Sequence, residues 1–137
     1  MKTTYRQYFS LFLSLLILLT FSQMTYAATT QVDILFMNHG PMRPTVAKIK
    51  TLMVEYGDKV QADWYDVDLQ AGKAFLKKQK ITGHIPMLIQ IDGKSEFEID
   101  GRSISLKGFP TGASPFKRVE GNWSLDDLKI LLDKETR

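Results

Sequence analysis

Apolar residues fall in short runs divided by turn residues, and their spacing changes along the chain. Val32 to Met37 is nearly continuous in apolar side chains, as a strand buried on both faces is. Asn38-His39-Gly40-Pro41 breaks the run. Val46, Ile49, Leu52, Met53 and Tyr56 then recur at spacings of three and four, which predicts a helix closed by Gly57. Val60–Val67 has strand character through Trp64, Tyr65 and Val67, and Ala71–Lys80 predicts a shorter helix with Ala71, Ala74 and Phe75 inward. A strand entered through a proline follows at Ile85–Ile91. Asp92-Gly93 and Asp100-Gly101 are hairpin signals around Glu96–Ile99 and before Arg102–Leu106, so this region predicts an antiparallel meander. Gly108–Pro115, rich in proline and glycine, predicts a loop, and Lys117–Glu120 a last short strand. The closing helix carries the clearest signal: Ser124 caps it, Asp127 stands three residues on, and Trp123 before the cap is set to pack on Leu128.

The order β-α-β-α-β-β-β-α predicts an α/β domain: a central mixed sheet with flanking helices and an inserted antiparallel meander in the C-terminal half. A helix joining two parallel strands crosses in the right-handed sense, which assigns the first helix to one face. Residues 1–27 read differently. Lys2 and Arg6 precede an apolar run from Phe9 to Phe21, and small residues lead to Ala27-Ala28. This is the pattern of a secretory signal peptide, shorter than the roughly 20 apolar residues a bilayer span needs. The expected organisation is a signal peptide over 1–27 and one domain over 28–137, periplasmic or secreted, with no membrane association after cleavage.

Charge and cysteine count then narrow the chemistry. Without Lys2 and Arg6 the formal charge falls from +3 to +1, and no basic stripe interleaves with aromatics, so nucleic acid is not an expected partner. The run Lys77-Lys78-Gln79-Lys80 reads as a solvated helix end. The chain has no cysteine, which removes thiolate nucleophiles, thiolate metal ligands and redox relays together. Enzymatic motifs are missing as well: there is no Gly-x-Ser-x-Gly elbow and no phosphate cradle. Asp66 and Asp68 read as a polar strand terminus.

The junction His39-Gly40-Pro41-Met42 carries a buried strand into a helix, with proline in the first turn, where its missing N–H costs nothing. This resembles the thioredoxin family, whose Cys-Gly-Pro-Cys stands at the same junction; His39 and Met42 occupy the two cysteine positions. Asp33, six residues earlier, falls where thioredoxins often keep a buried acid. Gly83-His84-Ile85-Pro86, followed by an apolar strand and Asp92-Gly93, is similar to the family segment that carries a cis-proline. Gly108-Phe109-Pro110-Thr111 is also similar to it, but no apolar strand follows Pro110. The resemblance covers residues 31–93 and 117–135, lacks the family's first strand and helix, and has the meander between Lys94 and Phe116 inserted. It implies a thioredoxin-like fold and the family's habit of binding extended peptide beside a cis Pro86. Disulfide exchange needs a thiolate and is excluded.

Two readings of the junction follow. In the first, the domain binds a protein or peptide, or plays an accessory role, through a groove of His39, Gly40, Pro41, Met42, Ile85 and Pro86, with no cofactor. In the second, His39, Met42, His84 and Met87 converge on Cu(I), a soft ion suited to thioether and imidazole. Both histidines and three of the four methionines after residue 27 (Met37, Met42 and Met87, not Met53) gather near this spot on such a fold, although Met37 on a buried strand has room to point away. Haem ligation is a variant of the same idea. The loop Gly108–Pro115, with Phe109 and Phe116, is either a cover over this edge or a surface connection pinned by its aromatics.

Overall fold

Strand β1 (Thr30–Phe36) runs through the middle of a three-stranded sheet, and its alternating side chains decide what each face of the sheet is. In this computed structural model residues 28–114 and 117–137 are described; the signal segment expected over 1–27, and Pro115 and Phe116, lie outside them. Strand β2 (Val60–Asp66) pairs with β1 in parallel, Val32 opposite Ala62. Strand β3 (Met87–Ile91) pairs with it antiparallel on the other side, Val32 opposite Ile91. The sheet is therefore mixed, in the order β2-β1-β3. Helix α1 (Arg43–Tyr56) makes the crossover from β1 to β2, entered through a short 3-10 turn over Gly40–Met42 and closed at Gly57, whose φ of 52° favours glycine.

Val32, Ile34 and Phe36 face one side and join Met87, Ile89 and Ile91 in the main core, with Val46, Ile49 and Met53 of α1. Helix α3 (Leu125–Glu135) adds Leu128, Leu131 and Leu132 to the same cluster. The other face holds a smaller cluster of Leu35, Leu88 and Phe75, the last from α2 (Gln70–Lys78), with the Phe75 ring stacked on Tyr65 at 4.4 Å.

The meander is a hairpin of β4 (Glu96–Ile99) and β5 (Arg102–Ser105), turned at Asp100-Gly101 with φ of 49° and 76°. Beyond β5 the chain runs beside β3, where the Ile89 N–H donates to the Leu106 carbonyl at 2.9 Å. Both capping bonds of α3 form: the Ser124 hydroxyl accepts the Asp127 N–H at 3.1 Å, and the Asp127 carboxylate accepts the Ser124 N–H at 2.8 Å. Trp123 and Leu128 lie together in the core beneath this cap.

Three sequence expectations change. Lys117–Val119 is a 3-10 turn, and only Glu120 makes a single bridge, to Phe109. Two charged side chains and one valine offer no apolar face to hold a strand there. In α2 the inward residues are Gly72 and Phe75, while Ala71 and Ala74 are exposed. The helix lies so close to β2 that a Cβ at Gly72 would stand 1.9 Å from the Asp66 carbonyl oxygen, so glycine sets its rotation. Finally, β3 begins at Met87 rather than Ile85. Pro86 has no N–H to give a ladder.

Candidate functional site

Parallel pairing puts the C-terminal ends of β1 and β2 at the same edge of the sheet, the edge where open α/β sheets hold ligands. His39 stands there as the residue before the 3-10 turn. Its backbone is extended, and its carbonyl accepts the N–H groups of Met42 at 2.9 Å and Arg43 at 3.2 Å. The side chain makes no capping bond, so the imidazole is available to other groups. Its Nε2 lies 3.6 Å from Asp68 Oδ2, with both side chains more than half exposed. Asp68 in turn is set by the turn after β2, where its N–H donates to Asp66 Oδ1 at 3.0 Å. An exposed pair of this kind contributes under about 1 kcal/mol, so it orients the ring more than it stabilises the fold.

Asp68 is the site residue that sequence reasoning missed. Its signal was the alternation Asp66-x-Asp68 at the end of a strand parallel to β1. Once that pairing is known, the acid falls beside His39.

A second loop is fastened to the first by one bond. The Met37 N–H donates to the Pro86 carbonyl at 2.9 Å, so the segment before β3 lies alongside the His39 turn. Of the six groove residues, His39, Gly40 and Pro41 are exposed, Ile85 is half-buried, and Met42 and Pro86 are buried. A Cβ built on Gly40 would meet nothing within 4 Å among the described residues, which leaves room over the turn. The expected cis-proline is corrected: no described peptide bond is cis, so Ile85–Pro86 is trans. Trans is the favoured isomer of an X–Pro bond by roughly 0.5–1 kcal/mol, and nothing in the local sequence opposes it.

The four proposed metal ligands divide by environment. Met42 and Met87 are packed into the main core with Phe36, whereas His39 and His84 are exposed. Among the described residues no group of three or more His, Cys, Asp or Glu is placed to hold a metal ion. Asp33, matched to the family's buried acid, is half-buried; it accepts from the Gln31 amide at 3.2 Å and the Tyr65 hydroxyl at 3.3 Å. Burial first, then the negative charges of Asp33 and Asp63, raise the Tyr65 phenol above its ordinary pKa.

The loop after β5 is anchored from within. Phe109 is fully buried, its N–H donates to Val119 and its carbonyl accepts from Gly121, each at 2.7 Å. Farther along, the Ala113 carbonyl accepts the hydroxyl of buried Thr45 at 3.1 Å, which ties this loop to the first turn of α1. The loop is thus a connection pinned by Phe109, with its Ala113 end tied to the start of α1; Phe116 lies outside the described residues. Among the described residues no helix is long and apolar enough to cross a membrane. No family model matches the chain, and no curated protein matches its sequence.

Proposed function

We propose that this is an exported thioredoxin-like domain without dithiol chemistry, working as a peptide-binding or accessory domain at the His39–Pro86 edge. The observation that carries the reading is the Met37–Pro86 hydrogen bond, which holds two exposed loops side by side at the carboxyl ends of parallel strands. The parallel-then-antiparallel order around β1 and the proline immediately before β3 support the thioredoxin-like assignment. The absence of any cysteine leaves binding as the activity such an edge retains. The signal-peptide pattern of residues 1–27 supports export to the periplasm or beyond.

Panning a random extended-peptide library against the purified protein tests this. Bound peptides are expected to shift the amide resonances of Gly40 and Ile85, and Ile85→Asp should weaken them about tenfold by placing a charge on an apolar contact. Peptides that leave both amides unmoved would end the proposal. Competition with a Cu(I) chelator under reducing conditions separates the two readings. Tight Cu(I) binding lost in both His39→Ala and Met42→Ala would replace peptide with metal at this edge.

A further inference from the structure

The outer edge of β2 and the flank of α1 form a groove that the reading above does not use. Among the described residues β2 is an edge strand. The Val67 N–H just beyond it reaches the Phe36 carbonyl at 3.0 Å, so odd-numbered residues of this segment turn their backbone groups toward β1. Ala62 and Trp64 therefore turn their N–H and C=O groups outward, with no strand to receive them. Their side chains line a groove of about 580 Å³ with Lys50, Met53, Val54 and Gly57. A smaller cleft of about 200 Å³ continues it past Phe36 and Val46 to Asn38 and Arg43.

Two properties of this groove are out of keeping with an idle surface. It is apolar in the open: Val54 is 79% exposed, and half-buried Trp64 meets Phe36 edge-on at 5.9 Å. It is also positively charged without compensation. The Lys50 ammonium lies 5.1 Å from the centre of the Trp64 ring, and neither Lys50 nor Arg43 has a carboxylate partner among the described residues. The acids of β2 do not supply one. Asp63 faces the opposite side of the sheet, bonded by the amides of Gln31 and Gln61, and Asp66 accepts the Asp68 N–H.

We propose that this groove receives an acidic, extended segment of a partner protein, added to the sheet as a strand along β2. The outward groups of Ala62 and Trp64 supply the main-chain bonds. Every second side chain of the segment faces α1; those over Trp64, Met53 and Val54 are apolar, and those farther along the same face are carboxylates that meet Lys50 and Arg43. A second copy of the chain fits poorly, because twofold pairing of β2 would gather two Lys50 and two Arg43 around one groove. The proposal does not rest on peptide binding at the His39–Pro86 edge, and variants in the two places separate them.

The probe is a fluorescein-labelled nine-residue peptide in which every second residue, all on one face of the strand, is valine over one half and glutamate over the other, with serine between, followed by polarisation. Its comparators carry lysine for glutamate, or N-methyl groups on the residues that would face β2. The glutamate peptide is expected to bind and to shift the amides of Ala62 and Trp64; the lysine peptide should bind about tenfold more weakly and the methylated one not at all. Lys50→Glu should cost about fivefold or more, while His39→Ala changes nothing. Ala62→Pro removes an N–H that the fold does not use and should abolish binding. Equal affinity for the lysine peptide, shifts confined to Gly40 and Ile85, or no binding by a normally folded protein would each overturn the proposal. So would a β2-mediated dimer in sedimentation that excludes the peptide.

Discussion

The two faces of the sheet are built from the same three strands and are covered very differently. The face of Val32, Ile34 and Phe36 lies under α1 and α3 and is continuous with the hairpin and Trp123. The face of Gln31, Asp33 and Leu35 has one short helix over its apolar end, and its other end is polar: Asp33 stands between Asp63 and Gln90 across the strands. Strand alternation thus separates a core that holds the fold from a surface on which stability is local. The difference shows that what covers a β1 side chain, two helices and the hairpin or one short helix, follows from whether its position is even or odd.

Cavity mutations test this contrast with the largest expected effects. Ile34→Ala on the deep face should cost about 4 kcal/mol in urea unfolding, and Leu35→Ala on the thin face about 2–3 kcal/mol, because a small cluster relaxes around the loss more readily. Both side chains are fully buried in the native state. Equal costs would break the comparison. Next comes Gly72→Ala, which drives a methyl into the Asp66 carbonyl and should cost about 1–3 kcal/mol by lifting α2. Hydrogen exchange should then quicken in α2 while the β1 amides stay protected; loss of protection throughout would mean the two faces unfold as one.

Acid sharpens the contrast more gently. Burial of the Asp127 carboxyl raises its pKa, but the hydrogen bonds from Arg102 and Ser124 outweigh it and hold the group below the ordinary aspartate value. A carboxylate depressed in the folded state stabilises fully above its unfolded pKa, and that stability is lost as pH falls through the folded pKa. Glu96 is lowered in the same sense, chiefly by the Lys107 hydrogen bond. Asp127→Asn should therefore flatten the loss of stability below the ordinary carboxylate range, at a cost near neutral pH of about 1 kcal/mol for the weakened cap. An unchanged acid limb would assign that loss to other groups. The smallest effect is expected at Gln90, whose Oε1 is buried with no hydrogen-bond partner among the described residues. Gln90→Met removes an unsatisfied acceptor at similar volume and should change stability by less than about 1 kcal/mol, in either direction. A large loss would reveal that the amide is bonded in solution.

What the sequence disclosed follows from how local each signal is. The α3 cap, the Asp100-Gly101 turn and the apolar run of β1 are set by neighbours within a few residues, and all three stand as expected. The rotation of α2 was not legible, because it depends on the approach of Gly72 to Asp66, a contact that exists only after the crossover has closed. The site divides in the same way. His39-Gly40-Pro41 announced itself as a strand-to-helix break, while Asp68 became its neighbour through the parallel pairing of β1 with β2. The isomer expected at Pro86 came from resemblance alone, and the chain holds the trans form.

The burial of the thioethers has a consequence for chemical wear. A chain with no thiol meets peroxide through methionine, whose sulfoxide is polar and unwelcome in a packed interior. Met42, Met53 and Met87 are shielded, whereas Met37 is half-buried at the end of β1. Among the described methionines, oxidative damage is thereby directed first to the residue whose amide holds the Pro86 loop in place.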